Sequence, residues 1–264
     1  MPSAALSKRL PSALTTLFEE WGYGAMLLLE SGYWTLFGPT LRQPVRFSLV
    51  MQEMLAIGLT AVPILAILSF SVGVMLAIQG VYSLRAFGAE SQVVMAVVLS
   101  ITREFGALMA GILVAGRSGS ALAARIGAMQ ISQEVDALCV MGISPVRQLV
   151  APPLLAALVM LPSLTILADA CAVFGGAVYC QLALGLSFEG FANQALAILR
   201  VSDLVQGITK GFVFAVIIAL VGVSNGFAVT GGADGVGRAT TRAVVQSLSY
   251  IVMADMVFTY FLSR

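Results

Sequence analysis

An arginine and a glutamate stand side by side inside an otherwise uncharged stretch that is long enough to cross a membrane. The pair is Arg103-Glu104, and the stretch is Ser91–Gly116, with twelve uncharged residues on each side of the pair. Each flank is about 18 Å of helix at 1.5 Å per residue. Since a hydrocarbon core is about 30 Å thick, we expect the pair near the bilayer midplane, where charges are costly and usually functional.

Two roles suit this pair. Neighbouring side chains on a helix point about 100° apart, so Arg103 and Glu104 do not neutralise each other within one helix. At least one must face a cavity or another helix, because contact with lipid is unfavourable. An arginine in a cavity can bind a phosphate through two hydrogen bonds, which predicts a phospholipid pocket. A buried ion network with Asp169 or Asp255 is the alternative, and the two roles are compatible.

The composition is that of a polytopic membrane protein. Of the 264 residues, 59% are hydrophobic and only 10% are charged, and the mean hydropathy is +0.98. So much apolar surface has to face lipid. The net charge of +1 gives no reason to expect nucleic acid as a partner. The absence of histidine removes the commonest general base and metal ligand, and we predict neither a metal site nor a cofactor.

Hydropathy predicts an all-α integral membrane protein in two regions. Residues 1–46 are predicted to form an amphipathic helix region at the cytoplasmic membrane interface, and residues 47–264 the transmembrane domain. For Asp169 and Asp255, which fall within predicted spans, structural hydrogen bonding is the expected role. The five predicted spans are residues 55–80, 91–116, 148–184, 207–229 and 243–262, with a polar segment, 117–147, between the second and the third.

The distribution of lysine and arginine predicts a cytoplasmic N-terminus and an outer C-terminus. In that orientation nine of these residues are inside, four are outside, and Arg103 lies in the membrane. The inner nine are Lys8, Arg9, Arg42, Arg46, Arg117, Arg125, Arg147, Arg238 and Arg242, and the outer four are Arg85, Arg200, Lys210 and Arg264.

The polar segment 117–147 is predicted to be largely helical. Ser120–Met129 is rich in alanine, and a second helix is expected after it, with Ser132 as its N-cap and Glu134 and Asp136 in its first turn. An apolar stripe made of Val135, Leu138 and Met141 makes this second helix amphipathic, and Gly142 is expected to end it. Such a helix between two spans either docks on another protein or rests on the membrane surface, and composition does not separate these roles.

The chain has no ATP-binding motif of its own. A P-loop requires G-x-x-x-x-G-K-[ST]. Gly231–Arg238 is rich in glycine but lacks the lysine. Energy for any transport must therefore come from a separate subunit or from an ion gradient.

The stretch from Arg103 to Thr165 closely resembles the MlaE/YrbE permeases, the membrane subunits of ABC systems that work with MCE-domain proteins. The similarity continues in Gly231–Val245, which reads GGADGVGRATTRAVV, and in Asp255. Upstream, Gln79-Gly80 and Gly88-Ala89-Glu90 also match, so the resemblance covers about residues 45–264. This chain departs from the family pattern at Ala107, where a proline is frequent, and at Pro153, where an arginine is frequent.

The resemblance implies a homodimer in the bacterial inner membrane with a lipid cavity between the two subunits, to which Arg103, Glu104 and Gln79 would belong. Segment 117–147 would be a coupling helix on a cytoplasmic ABC ATPase. An MCE-domain ring outside would carry lipid onward, and a small cytoplasmic accessory subunit is a further implied partner. Family substrates are glycerophospholipids and, in some branches, sterols. The implied coupling residues are Arg117, Arg125, Glu134, Asp136 and Arg147.

The function predicted from the sequence is that of a permease subunit without ATPase activity, which moves phospholipids or related lipids between the inner membrane and an MCE-domain carrier. An ion-coupled secondary transporter of an amphipathic substrate is the alternative, although such folds usually contain internal repeats and none is visible in this sequence. A membrane-embedded lipid enzyme is disfavoured, because the chain has no histidine and no visible nucleophile–base pair.

Overall fold

The structure, a computed structural model, describes residues 22–35 and 45–262. Within these two ranges there are helices and short turns but no strand. Five helical segments are long and apolar enough to cross a membrane, which confirms the predicted all-α fold with five spans. Residues 1–21 and 36–44 of the predicted interfacial region lie outside the described residues, as does Arg264.

The five spans, numbered in chain order, are continuous or nearly continuous helical segments. They are Phe47–Arg85, Glu90–Ile131, Val146–Leu184, Val201–Phe227 and Gly232–Phe261. The α-helices are α1 (22–35), α2 (Phe47–Ile57), α3 (Val62–Arg85), α4 (Val93–Ser100), α5 (Gly106–Val114), α6 (Ser120–Ile131), α7 (Glu134–Val140), α8 (Ala151–Leu184), α9 (Phe188–Ile198), α10 (Val201–Phe227) and α11 (Gly232–Leu262). Three π-helical segments also occur, at Ile101–Phe105, Ala115–Gly119 and Val146–Val150.

Several boundaries differ from the prediction. Span one covers Phe47–Arg85 instead of residues 55–80, and span five begins at Gly232 instead of residue 243. Span two does not end at Gly116 but continues to Ile131, because the alanine-rich α6 favours helix and contains no proline. Span four begins at Val201, before the predicted residue 207. Lys210 lies inside span four, as it did within the predicted bounds 207–229, so counting it among the outer residues was wrong. The helical spans also contain Arg85 of the outer four and five of the inner nine, namely Arg117, Arg125, Arg147, Arg238 and Arg242, so the orientation stays a prediction from the sequence.

Helix α7 stands beyond the end of span two, as a short separate helix. Its N-cap is Gln133, in the left-handed region with φ of 60°, and not Ser132 as predicted. Ser132 instead ends α6, and its hydroxyl donates to Glu134 Oε1 at 2.8 Å. Gly142, with φ of 73°, follows Met141, the C-cap of α7, and ends the helix as predicted, because glycine adopts this conformation without steric cost.

Span three lies at the centre of the bundle and span five at its surface. Within an apolar stretch of 18 residues in each span, 67% is buried in span three but only 11% in span five. Spans one and three are in backbone contact: a Cβ at Gly73 would overlap the carbonyl of Ala172, and one at Gly175 would overlap the carbonyl of Phe70. Close contact of this kind requires glycine.

The two ends of the bundle carry different short helices. At one end, here named the α7 end, α1 packs through Leu27 against α6 and α7. The guanidinium of Arg147 lies 5.4 Å from the centre of the Trp34 ring in the same region. At the opposite end, named the α9 end, α9 connects spans three and four. The Ser187 hydroxyl caps α9 by accepting from the Gly190 N–H.

Candidate functional site: a buried charge cluster

Arg103 and Glu104 lie on a π-helical turn, Ile101–Phe105, that interrupts span two. A π-helical turn widens the helix locally and is frequent at functional sites. The two adjacent side chains reach different residues of span four, Asp203 and Lys210. The sequence predicted that Arg103 and Glu104 would not pair with each other within one helix. Each indeed has its partner on another helix.

Arg103 is held by a fully buried carboxylate. Its Nε and Nη2 both lie 2.8 Å from Oδ1 of Asp203, which is only 1% exposed. The other oxygen of Asp203 accepts from the backbone N–H of Arg200 at 3.0 Å. Asp203 also sits in the first turn of α10, where the helix dipole stabilises a negative charge. These contacts orient the guanidinium of Arg103.

Lys210 is among the largest fully buried side chains of the described residues and is 1% exposed. Its ammonium donates to Glu104 Oε2 at 2.6 Å, to the Arg103 carbonyl at 2.9 Å and to Thr259 Oγ1 at 3.3 Å. Three hydrogen bonds use the three hydrogens of an ammonium. An unpaired ammonium at this position would be strongly destabilising, and the paired carboxylate offsets that cost.

Span five contributes Asp255 and Thr259 to the same cluster. Asp255 Oδ1 lies 2.8 Å from the Lys210 Nζ as an ion pair, although the two atoms are not aligned for a hydrogen bond. The Thr259 hydroxyl lies 2.9 and 3.1 Å from the two carboxylate oxygens of Glu104. The polar contacts of the cluster therefore connect spans two, four and five.

The exposure of the cluster is uneven. The side chains of Arg103 and Glu104 are 42% and 30% exposed, whereas those of Lys210 and Asp255 are 2% and 12% exposed. A ligand can therefore reach the first two residues, while the others support them. Lys210 lies in the first half of span four and Asp255 near the end of span five. The cluster is consequently nearer the α9 end than the α7 end.

Asp169 and Gln79 are outside the cluster. Asp169 is buried against Gly106, and its Oδ1 has no hydrogen-bond partner among the described residues. Gln79 is exposed on span one. Within the described part of the chain, no hydrogen bond or ion pair joins either residue to Arg103. Of the two acids considered as network partners, Asp255 is the one that the structure places in the network.

A cavity of about 1080 Å³ lies between α1, span four and span five. Most of its lining is apolar, including Leu220, Met253 and Val257. Ala254 and Phe258 also line it, and each is the chain neighbour of a cluster residue, Asp255 or Thr259. Polar cluster and apolar cavity thus share span five, an arrangement suited to an amphipathic ligand.

The five residues that the family resemblance implied for ATPase coupling separate into two groups. Glu134 and Asp136 are exposed on α7, beside Val140 and Met141, whose side chains are exposed too. The three arginines point elsewhere. Arg125 forms an ion pair with Glu53 at 2.5 Å, Arg147 stacks on Trp34, and Arg117 lines a second cavity within the bundle.

Comparison with known proteins identifies the family. The family model described as Permease MlaE matches residues 50–261.

The chain belongs to the MlaE permease family.

Individual MlaE-family relatives cover most of the chain. A probable ABC transporter permease protein of Rickettsia typhi is 35% identical over 85% of this chain and 86% of its own length. The intermembrane phospholipid transport system permease protein MlaE of Haemophilus influenzae is 30% identical over 85% of this chain and 87% of its own length. The chloroplast protein TRIGALACTOSYLDIACYLGLYCEROL 1 of Arabidopsis thaliana is 33% identical over 84% of this chain and 63% of its own length.

Three cluster residues of this MlaE-family permease were missed by reasoning from the sequence: Asp203, Lys210 and Thr259. A signal for Lys210 was available. It shares one helix face with Gly207, Gly211 and Phe214, at the spacing of residues that face a helix neighbour. That spacing predicts an inward-facing lysine. Thr259 gave no comparable signal, because threonine is common on both lipid-facing and buried helix surfaces.

Proposed function

We propose that this chain is the permease subunit of an ABC transporter that moves phospholipids between the inner membrane and an MCE-domain carrier. The observation that carries the proposal is the partly exposed Arg103, held by a buried carboxylate in a charge cluster that shares span five with an apolar cavity. The names of the Rickettsia typhi and Haemophilus influenzae relatives support an ABC transporter and a phospholipid substrate, respectively.

The phosphate of the lipid would bind Arg103. Asp203 engages the Nε and Nη2 atoms of the guanidinium, and the exposed part of the side chain keeps N–H donors for a second anion. Glu104, held by Lys210 and Thr259, would lie beside Arg103, and its carboxylate would disfavour a headgroup that carries a second negative charge. The acyl chains would occupy apolar space, such as the cavity along span five.

A second copy of the chain would cover span five. Little of this span is buried within one subunit, and its exposed side chains include Val252, Met256, Tyr260 and Phe261. Apolar side chains in a row can face either lipid or another helix, but the charge cluster lies on the same span. A homodimer through span five would enclose Arg103 and Glu104 between the subunits.

The remaining partners would bind at the two ends. The cytoplasmic ATPase would dock on α7, where the acids Glu134 and Asp136 adjoin exposed Val140 and Met141. Arg117, Arg125 and Arg147 would contribute to coupling by positioning α7 and its neighbours from within the chain. The small accessory subunit would join the ATPase. The MCE-domain carrier would meet the α9 end, which is then periplasmic together with the C-terminus.

One observation favours a second candidate, an ion-coupled secondary transporter. Lys210 contacts two carboxylates inside the membrane-spanning region, and intramembrane ionisable groups of this kind serve as proton relays in transporters. The two candidates differ in their energy source. Transport by the ABC permease requires ATP and persists when the proton gradient is collapsed.

The test is lipid transfer by the complex purified through a tag on this chain and reconstituted in vesicles. With ATP, labelled phospholipid should move to or from the carrier, and Arg103→Gln should reduce the rate at least about tenfold, because one charge-assisted hydrogen-bonding group is lost. Arg85→Gln is the matched control, since Arg85 is an exposed arginine paired with Glu90. Equal rates in wild type and Arg103→Gln, or transfer that needs a proton gradient and no ATP, would contradict the proposal.

A further inference from the structure

A second cavity, whose lining includes three charged residues, lies at the α7 end of the bundle, away from the charge cluster. Its volume is about 330 Å³, and residues of spans one to four line it. The charged residues among its lining are Glu53 of span one and Arg117 and Arg125 of span two. The transport proposed above places no ligand in this cavity and gives Arg117 and Arg125 only a positioning role.

Arg117 is the unusual member of the lining. It lies on the π-helical segment Ala115–Gly119, and its Nη1 is buried without a hydrogen-bond partner among the described residues. Arginines near the ends of spans usually extend towards water or headgroups, which satisfies their N–H groups. Leaving a buried donor of a charged group unsatisfied is unfavourable, because the group has lost its hydration without gaining a partner. An acceptor is therefore expected in the cavity.

The charged residues that line the cavity determine the charge of the expected acceptor. Arg125 and Glu53 form an ion pair at 2.5 Å and neutralise each other. Arg117 has no such counter-charge among the lining residues. One positive charge remains, so an anion of charge −1 would make the site neutral. A phosphodiester carries this charge, and an arginine matches its oxygens geometrically.

The shape of the cavity fits a small anionic group. Ala56 and Thr60 of span one, at its mouth, are exposed, as is Arg125 of span two. The inner wall includes buried apolar residues of spans three and four, Ala157 and Ile218. At about 330 Å³ the volume is near the lower limit for ligand pockets, enough for a headgroup but not for a whole lipid.

We propose that the Arg117 cavity binds a phosphate-type monoanion, supplied either by a phospholipid headgroup whose chains stay in the membrane or by free inorganic phosphate. Arg117 makes the primary contact, Arg125 the secondary one, and Glu53 limits the site to a single negative charge. The site is distinct from Arg103, and its occupancy does not depend on whether the chain transports phospholipids.

The test is a binding titration of the full-length chain in detergent, followed by native mass spectrometry. The background variant Arg103→Gln is used throughout, so that the other candidate headgroup site is removed. The probes are short-chain phosphatidylglycerol, the diacylglycerol with the same chains, and inorganic phosphate. In that background, phosphatidylglycerol should bind at least about tenfold more tightly than the diacylglycerol, because only the former carries the anion.

Three substitutions locate the site. Arg117→Gln should weaken phosphatidylglycerol binding about tenfold or more, and Glu53→Gln should strengthen it, because the carboxylate that competes for Arg125 is lost. Arg85→Gln, at the α9 end, should leave it unchanged. If Arg117→Gln does not fold, the test rests on Glu53→Gln. A gain in phosphatidylglycerol affinity in that variant cannot result from loss of folding. Unchanged binding in Arg117→Gln, or in Glu53→Gln, would overturn the proposal.

Inorganic phosphate separates the two sources of the anion. Displacement of phosphatidylglycerol by millimolar phosphate would identify a site for the free ion. Binding of phosphatidylglycerol that phosphate does not displace would identify a headgroup site. Equal binding of the diacylglycerol and phosphatidylglycerol would show that the chains alone are recognised and would refute an anion site.

Discussion

The Lys210 ammonium lies 2.6 Å from a carboxylate oxygen of Glu104, and this contact connects span four to the π-helical turn of span two. Both side chains also contact span five, through Asp255 and Thr259. One lysine thereby connects three helices. Because this ion pair is removed from water, its net contribution to stability is small. Removing one partner is strongly destabilising, because the other charge is left without compensation.

Lys210→Met should destabilise the folded protein by roughly 3–5 kcal/mol, because the buried Asp255 and the partly exposed Glu104 lose their counter-charge. The measurement is the unfolding midpoint in detergent. Adding Glu104→Gln and Asp255→Asn to Lys210→Met should recover much of the loss, since neutral groups do not repel each other. A midpoint for Lys210→Met equal to that of wild type would mean that the cluster does not support the bundle.

Asp203→Asn should lower lipid transfer, because Asp203 orients the guanidinium of Arg103. A double-mutant cycle with Arg103→Gln should give a coupling energy of about 1–3 kcal/mol in the transfer rate. Strictly additive effects of the two substitutions would show that Asp203 acts independently of Arg103. The amount of complex that co-purifies is measured in parallel, so that loss of assembly is not read as loss of transport.

Charge reversal of Glu134 and Asp136 to lysine should weaken binding of the ATPase or uncouple its hydrolysis from transfer, with the chain still folded. Both acids are exposed on α7, so the effect on packing should be small. Glu189→Lys is a matched control, because Glu189 is an exposed acid in the first turn of α9 and experiences the same helix dipole. Co-purification and ATP hydrolysis are measured. Unchanged values in the α7 variant would assign coupling to another surface.

Gly73→Val should destabilise the bundle by about 1–3 kcal/mol or more, because a side chain at Gly73 would overlap the backbone carbonyl of Ala172 in span three. Gly237→Val is the control. It is also within a helix, but nothing lies within 4 Å of its added Cβ. Thermal unfolding in detergent compares the two. Similar midpoints would show that spans one and three can separate without loss of stability.

Hydropathy predicted the five spans correctly because the length of an uncharged run is a local property of the chain. The same holds for Gly142, whose left-handed conformation follows from its place after an amphipathic helix. Boundaries were less predictable. The bundle accommodates Lys210 in span four only because carboxylates from other spans surround it, and no local pattern contains that information.

The sequence by itself determined that this is a multi-pass membrane protein with a charged pair in span two, since both follow from composition and spacing. Its motifs also determined the family. Only the tertiary structure decided which groups balance those charges. Arg103 and Asp203 are far apart in the chain, as are Glu104 and Thr259, so their contacts depend on how the spans pack. Helix packing likewise decided that Arg117 lines a cavity within the bundle instead of extending to the surface.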